Sequence, residues 1–337
     1  MAPTSKSSLL WLQAGSCGGC SMSLLTAQSP QLFDALDAAG IELVWHPSLS
    51  EASGAEAAAL VESCADGSRP LDILCIEGAM MRGPHGSGRF QCCPVSDEPM
   101  IALVQRLAAR ARWTVAVGSC AAYGGVVAAS GNPADACGLQ FEDDEPGGLL
   151  GADYRSASGL AVINVAGCPP HPNWMLDTLL ALTVDPAAES AFDGYGRPLL
   201  FAEHLVHHGC TRNEFYEFKA SAEHPSQLGC MMENMGCMGT LAHADCNVRL
   251  WNGEGSCTRG GFACIACIEP GFEDPGHPFA QTPKIAGIPV GLPTDMPKAW
   301  FVALAALSKS ATPRRVRENA RSHRRVVAPA LKKPFRK

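Results

Sequence analysis

The sequence predicts an α/β fold, with a doubly wound parallel sheet in the first half of the chain. Two observations support this prediction. Short apolar runs alternate with longer segments of helical character, which is the pattern of strands joined by crossover helices. Glycine or proline follows each apolar run, as expected where a strand ends. The predicted strands are Ser8–Gln13, Ile41–Trp45, Leu71–Glu77, Trp113–Gly118 and Ala161–Val165.

Helices are predicted in the segments that connect these strands. Their apolar residues recur at helical rather than alternating spacing. The predicted helices are Ser21–Ala27, Pro30–Ala39, Ala55–Cys64, Met100–Arg112 and Asn173–Leu182. This order of elements resembles a flavodoxin-like domain, which we expect to cover residues 1–184.

The pattern changes from about Asp185 onward. Proline, glycine and cysteine become dense there, and Lys298–Lys309 is the one long helix that the spacing predicts. A stretch of this length without a periodic core needs another source of stability, which metal ligation can supply. The sequence therefore predicts an irregular, cluster-stabilised domain over residues 185–275 and a C-terminal extension over residues 276–337.

Cysteine is the most informative part of the composition, with 16 in 337 residues. The first residues contain neither the apolar region of a signal peptide nor a twin-arginine pair, and no apolar run is long enough to span a membrane. We therefore expect a cytoplasmic protein with no membrane span. In that reducing environment, cysteines are more often metal ligands than disulfide partners.

The end of the chain differs in charge from the rest. Eleven basic residues and one acidic residue lie between Lys309 and Lys337, whereas the whole chain has a net charge of −7. A basic tail can bind a negative partner such as nucleic acid. We expect instead a solvated, partly disordered extension, with no nucleic-acid partner.

Three cysteine motifs each follow a predicted strand of the first domain: Cys17 with Cys20, then Cys120, then Cys168. Parallel strands end at a common edge of the sheet, where such folds bind ligands, and helix N-termini at that edge favour an anion. An iron–sulfur cluster with four thiolate ligands suits this position. A redox dithiol or half of a zinc site remains the alternative for the CxxC motif alone.

The second half of the chain contains two further sets of four candidate ligands. One set combines a histidine with three cysteines, although His208 stands beside His207 and spacing does not separate the two. The sets are His207, Cys210, Cys230 and Cys237, and Cys246, Cys257, Cys264 and Cys267. Structural zinc is an alternative for each set alone, but three sets together indicate a row of redox centres. We expect the other five cysteines to be structural; they are Cys64, Cys75, Cys92, Cys93 and Cys137.

From about Leu9 to Phe272, these motifs resemble the small, electron-transferring subunit of nickel–iron hydrogenases. The resemblance implies a proximal [4Fe–4S] cluster on Cys17, Cys20, Cys120 and Cys168. It implies a distal [4Fe–4S] cluster on His207, Cys210, Cys230 and Cys237. It also implies a medial cluster on Cys246, Cys264 and Cys267, which is [3Fe–4S] in many relatives. Those relatives have proline where this chain has Cys257, so we predict a medial [4Fe–4S] cluster.

The resemblance also has implications for the residues around the proximal cluster. Gly19 and Gly125 stand where the oxygen-tolerant, membrane-bound class has two extra cysteines. We expect Glu77, at the end of the third predicted strand, to hydrogen-bond backbone near the proximal cluster. No catalytic residue is expected in this chain, because the resemblance places the Ni–Fe site in a separate large subunit.

The function that the resemblance implies is relay of electrons from H2 oxidation in that large subunit through the three clusters. Within the cytoplasmic branch we favour an H2 sensor, with a second copy of the heterodimer and a sensor kinase as further partners. One alternative is the small subunit of a soluble uptake hydrogenase. Others are a single-cluster subunit of the quinone-oxidoreductase type and a zinc-rich module whose basic tail contacts nucleic acid.

Overall fold

The computed structural model describes residues 6–93, 96–184, 191–274, 279–290, 292 and 297–328. The chain divides into two compact units. The first extends to Glu203 and includes a segment that begins at Cys267, and the second contains His204–Ala266 and the C-terminal residues. The domain boundaries expected at 184/185 and 275/276 stay predictions, since both border residues outside the described ranges.

Five parallel strands form the sheet of the first unit, in the spatial order Ile41–Trp45, Ser7–Gln13, Ile73–Glu77, Trp113–Val117 and Ile163–Val165. In chain order the strands are β1 (Ser7–Gln13), β2 (Ile41–Trp45), β3 (Ile73–Glu77), β4 (Met80–Met81), β5 (Trp113–Val117), β6 (Ala136–Cys137), β7 (Phe141–Glu142), β8 (Glu145–Pro146), β9 (Ile163–Val165), β10 (Lys284–Ile285) and β11 (Ile288–Pro289). The five-stranded order is that of flavodoxin-like sheets, so the predicted α/β class is confirmed.

Each of the six predicted helices is confirmed, with ends shifted by a few residues. The observed helices are α1 (Gly19–Leu24), α2 (Leu32–Ala38), α3 (Gly54–Asp66), α4 (Met100–Ala108), α5 (Ser119–Tyr123), α6 (Gly125–Ala128), α7 (Pro172–Val184), α8 (Leu199–Ala202), α9 (Asn213–Glu217), α10 (Lys298–Ala311) and α11 (Arg314–Ala320). The predicted Met100–Arg112 helix ends early because the N–H groups of Arg112 and Trp113 bond instead to the carbonyls of Leu71 and Asp72, which directly precede β3.

The core of the first unit lies on both faces of its sheet. Every residue of β3 and β5 is buried, and so are the five central residues of β1. Successive side chains of a strand point to opposite faces, so burial of all of them requires that both faces are covered. This is why the strands are continuous apolar runs that the sequence identifies well.

The second unit contains little regular structure. In the part of it that the structure describes, the elements are a 3-10 helix (Val206–Gly209), α9, the β10–β11 hairpin, α10 and α11. Helix α11 corrects the expectation of a solvated tail for residues 314–320, because Val316, Asn319 and Ala320 are buried. Residues 329–337 of the tail lie outside the described ranges. The N–H of Gly229 donates to the Ala320 carbonyl at 2.9 Å, which fixes the end of α11 against the cysteine-rich segment. Among the described residues, no helix is long and apolar enough to cross a membrane.

Candidate metal centres

The thiols of the first predicted set lie at one edge of the sheet. Cys17 and Cys20 follow β1, Cys120 lies in α5 directly after β5, and Cys168 follows β9. Burial raises the pKa of the Cys20 thiol, and the charges of Glu77 and of the other three thiols raise it further. Four cysteines from three separate turns are thus close enough to interact electrostatically.

Two glycines allow this close approach. Gly118 has a φ of +85°, and a Cβ there would lie 2.6 Å from the Cys20 sulfur. A Cβ on Gly125, at φ +53°, would lie 2.9 Å from the Cys120 sulfur. Both the backbone conformation and the space exclude a side chain, so the sulfurs pack directly against the turns.

The chemistry of these thiols fits a cationic cluster core. Burial raises the pKa of Cys120 and of Cys168 to about 11, and repulsion from neighbouring thiols acts in the same direction. Iron ligation offsets both costs, because it replaces the proton with a positive metal centre. No three candidate ligands in the described part of the chain converge as they would around a single ion. A cubane cluster differs from an ion in that each thiolate binds a different iron, so the ligands surround a volume.

Glu77 organises the polar groups behind this set. It is the last residue of β3, between β1 and β5, and is fully buried. Its carboxylate accepts hydrogen bonds from the N–H of Cys20 at 3.1 Å and the hydroxyl of Ser21 at 2.5 Å. Further donors are Trp11 Nε1 at 3.2 Å, Gln13 Nε2 at 3.3 Å and Ser16 Oγ at 2.9 Å. These five donors stabilise a buried charge that would otherwise be costly.

The sequence patterns did not predict these donors or their neighbour His46. The signal was present in part: Trp11 and Gln13 are two residues apart, so they share a face of β1, and Gln13 is in register with Glu77. The hydroxyl of Ser21 lies 3.1 Å from Nε2 of His46. Burial lowers the pKa of His46 to about 4, with a smaller opposing effect from Glu77, so its imidazole is neutral near pH 7.

The segment that begins at Cys267 is fixed within the first unit. The Ser119 hydroxyl donates to the Cys267 carbonyl at 2.5 Å and accepts from the Gly167 N–H at 2.9 Å. The charge of Cys267 also contributes to the raised pKa of Cys168. One predicted medial ligand is therefore a near neighbour of the proximal set.

The predicted distal ligands line a single cavity in the second unit. It encloses about 370 Å³ of empty space, counting its opening to solvent. His207 extends from the 3-10 helix, and His208 is not among the residues that line the cavity. Burial and the neighbouring His208 lower the pKa of His207, which favours the neutral imidazole that can bind a metal. The candidate ligands lining this cavity are His207, Cys210, Cys230 and Cys237.

Arg212 places a positive charge in the same cavity. The guanidinium is buried and donates to the carbonyls of Thr258 at 3.0 Å, Gln227 at 2.5 Å and Gly229 at 2.8 Å. Burial lowers its pKa, and the nearby thiols, Cys210 first, oppose that effect. A buried cation beside several thiolates suits an anionic cluster.

Backbone N–H groups point at the sulfurs of this set. The N–H of Arg212 lies 3.4 Å from Cys210 Sγ, and that of Cys264 lies 3.4 Å from Cys237 Sγ. Hydrogen bonds to sulfur stabilise the thiolate and tune the potential of a bound cluster. Cys264, a predicted medial ligand, is thereby placed next to the distal set.

The rest of the medial set is divided between the units. Cys246 and Cys257 lie in the second unit, and the residues beside them are bonded to each other: Asn247 Oδ1 accepts from Thr258 Oγ1 at 2.8 Å and from Ser256 Oγ at 2.6 Å. Cys267 belongs to the first unit. The assignment of these four cysteines to one cluster stays a prediction.

The five remaining cysteines lie outside these sets. Cys64, Cys75 and Cys137 are buried, and Cys92 and Cys93 are partly buried. Cys75 is enclosed in β3, where burial raises its pKa and makes it a small apolar core residue.

Family models match both halves of the chain. Residues 17–182 match the NADH ubiquinone oxidoreductase 20 kDa subunit family, and residues 202–280 match the C-terminal family of NiFe/NiFeSe hydrogenase small subunits. The chain is 34% identical to the F420 non-reducing hydrogenase II small subunit of Methanosarcina mazei, over 89% of this chain and 82% of that one. It is also 34% identical to the periplasmic [NiFeSe] hydrogenase small subunit of Desulfomicrobium baculatum, over 81% and 87%.

Solved structures show the same relationship. The NiFeSe hydrogenase of Desulfomicrobium baculatum matches with a TM-score of 0.69 and 32% identity, over 82% of this chain and 99% of that one. The actinobacterial-type NiFe-hydrogenase of Ralstonia eutropha H16 matches with a TM-score of 0.75 and 28% identity, over 99% and 96%.

The chain therefore belongs to the small subunits of [NiFe] and [NiFeSe] hydrogenases. It is the electron-transferring subunit of a hydrogenase, an iron–sulfur protein whose homologues imply a large subunit as its partner.

Proposed function

We propose that this chain holds three [4Fe–4S] clusters and relays electrons between the Ni–Fe site of a large subunit and an acceptor. The proposed ligands are the three sets predicted from the sequence. The observation that carries the proposal is the meeting of Cys17, Cys20, Cys120 and Cys168 at the edge of the sheet, with the Cys267 carbonyl bonded to Ser119 beside them. When bound, the clusters supply one-electron transfer, and the chain positions them, buries them and hydrogen-bonds their sulfurs.

Iron content tests the number of clusters. In the heterodimer purified without oxygen, we expect about 12 iron atoms per small subunit, beyond the one of the Ni–Fe site. Cys230→Ser should remove up to about a third of them, whereas Cys64→Ser, a buried cysteine outside the proposed sets, should remove none. About four iron atoms would support the single-cluster alternative, and zinc in place of iron would support the zinc-rich one.

The medial cluster has a separate spectroscopic test. Cys257→Pro restores the residue that many relatives have and removes the proposed fourth ligand. We expect the oxidised variant to show the EPR signal of a [3Fe–4S] cluster, and the parent and a Cys92→Ser control to lack it. A strong [3Fe–4S] signal in the oxidised parent would refute a medial [4Fe–4S] cluster.

We further propose that the complex is an enzyme that delivers electrons to an acceptor. This proposal is supported by its similarity to F420 non-reducing, periplasmic and actinobacterial-type hydrogenases, none of which is named as a sensor. The H2-sensing role, the cytoplasmic location, a second heterodimer copy and a sensor kinase stay predictions.

Steady-state turnover distinguishes the two roles. An enzyme should reduce benzyl viologen with H2 at about 10 per second or faster. Turnover at least a hundredfold slower, in a complex with full iron and nickel content, would favour the sensor.

A further inference from the structure

A second cavity in the second unit has an excess of positive charge. It is formed by the 219–223 and 233–234 segments with the ends of α10 and α11, and encloses about 780 Å³ of empty space including its opening. The residues that line it include two carboxylates and four cations. The cations are Lys219, Lys309, Arg317 and Arg321.

Two of these cations are already neutralised. Lys309 Nζ lies 2.8 Å from Glu233 Oε1, and Arg321 pairs with Glu223 at 2.8 Å. The structure gives Lys219 and Arg317 no such carboxylate partner among the described residues. The charges of Glu217 and Glu233 act on Lys219 without pairing with it directly, so both cations can still bind an incoming anion.

Lys219 is held in place without being neutralised. Its ammonium lies 3.7 Å from the centre of the Tyr216 ring and 5.4 Å from that of Phe301. Cation–π contacts position an ammonium but leave its charge and its N–H donors free to bind an anion. One N–H group of Arg317 bonds to the Thr312 carbonyl at 3.2 Å, and within the described ranges its other N–H groups have no hydrogen-bond partner.

The wall of this cavity is bonded directly to a proposed cluster ligand. The N–H of Cys230 donates to the Ala220 carbonyl at 3.2 Å, and its carbonyl accepts from the Ala222 N–H at 2.8 Å. Ala220 lines the cavity, and Lys219 is near enough to Cys230 for the two charges to interact. An anion bound here would therefore lie beside the segment whose backbone is hydrogen-bonded to Cys230, a proposed distal ligand.

We propose that this cavity binds the phosphate group of a small organic electron acceptor. A doubly charged phosphate matches two unpaired cations, and the volume exceeds what a free phosphate ion needs. The proposal rests on the proposed function, because the electrons come from H2 by way of the distal cluster. In the overall reaction H2 is oxidised to two protons and two electrons, and the acceptor takes up two electrons and two protons.

Flavin mononucleotide and riboflavin form a matched pair of probes, since they share the redox ring and differ in the phosphate. In the assembled complex, equilibrium dialysis should show tighter binding of flavin mononucleotide. Inorganic phosphate should compete with it. Lys219→Met with Arg317→Gln should weaken its binding about tenfold or more and leave riboflavin unchanged. Lys298→Gln, which removes an exposed charge at the other end of α10, should change neither.

The single variant Lys219→Arg keeps the charge and should retain most of the binding of flavin mononucleotide. This variant separates loss of charge from local unfolding. Equal binding of the two flavins by the parent would overturn the proposal. So would weakened binding of both flavins in the double variant, or competition by sodium chloride as effective as that by phosphate. H2-dependent viologen reduction reports on the clusters independently of the cavity. If the parent complex did not reduce viologen, the proposed function would be refuted, whereas dialysis would still test the cavity.

Discussion

The two units of this chain bury their side chains in different ways. In the first, β1, β3 and β5 contribute continuous rows of buried apolar residues such as Leu10, Ile73 and Leu74. In the second, the buried apolar clusters are small, and polar side chains such as Arg212 and Asn247 are buried with their hydrogen bonds made. The first unit is stabilised by apolar burial, whereas the second depends on polar networks and, we propose, on metal ligation.

Removal of iron should separate the stabilities of the two units more than any other change. Without clusters, the second unit should lose protection of amides such as those of Ala222 and Cys230, because little apolar burial remains to hold the Ala220–Cys230 pairing. The amides of β3 should stay protected. Hydrogen exchange with mass spectrometry of the heterodimer before and after iron chelation measures both. Equal loss of protection in the two units would contradict the proposed difference.

Arg212→Met should give the next largest effect, a lower free energy of unfolding of the second unit. It leaves three buried carbonyls without their donor, which we expect to destabilise the second unit by about 4 kcal/mol. Hydrogen exchange of the Gly229 amide at increasing denaturant concentrations measures the change in the free energy of unfolding. Arg314→Met removes a guanidinium that is 86% exposed and should cost about 0.5 kcal/mol or less. A small effect of Arg212→Met would show that the polar network contributes little.

Leu74→Ala tests the apolar core of the first unit. Leu74 is fully buried in β3, and its truncation should cost about 3 kcal/mol, through lost transfer energy and the cavity left behind. Protection of β5 amides should fall with it, while amides of the second unit should not change. Leu200→Ala, at a position 49% exposed, is the matched control and should cost well under half as much.

Acid should weaken the first unit through His46, by about 3 kcal/mol when the pH falls from 7 to 4. Because burial lowers the folded pKa of His46 to about 4, the unfolded chain binds more protons between pH 6.5 and 4. Stability therefore decreases as the pH falls through that window. His46→Asn should flatten this part of the curve, whereas His85→Asn, at an exposed histidine, should leave it unchanged. An unaltered pH dependence in His46→Asn would exclude this origin.

Much of the first unit could be predicted because its elements carry their own signal. Ile41–Trp45 was predicted with the observed bounds, and the other strands differ at their ends by one or two residues. Strands buried on both faces are apolar throughout, and the glycine-flanked cysteines mark where they end.

The second unit could not be predicted in the same way. Helix α11 has only three buried residues among seven, and its charged side chains made it resemble part of a solvated tail. Its position is set by backbone hydrogen bonds to Leu228 and Gly229, nearly a hundred residues earlier in the chain. Contacts of that kind leave no periodic pattern in the sequence.

By itself, the sequence determined the α/β class, the five strands of the parallel sheet and the turns that carry the first four cysteines, because local periodicity and residue chemistry encode them. Only the tertiary structure decided which groups surround those turns. It brought five donors to Glu77, placed Arg212 among the thiols of the second unit and put Lys219 and Arg317 in one cavity beside Cys230. The reason is physical: hydrogen bonds and charges act between residues that are close in space, and that closeness arises only when the chain has folded.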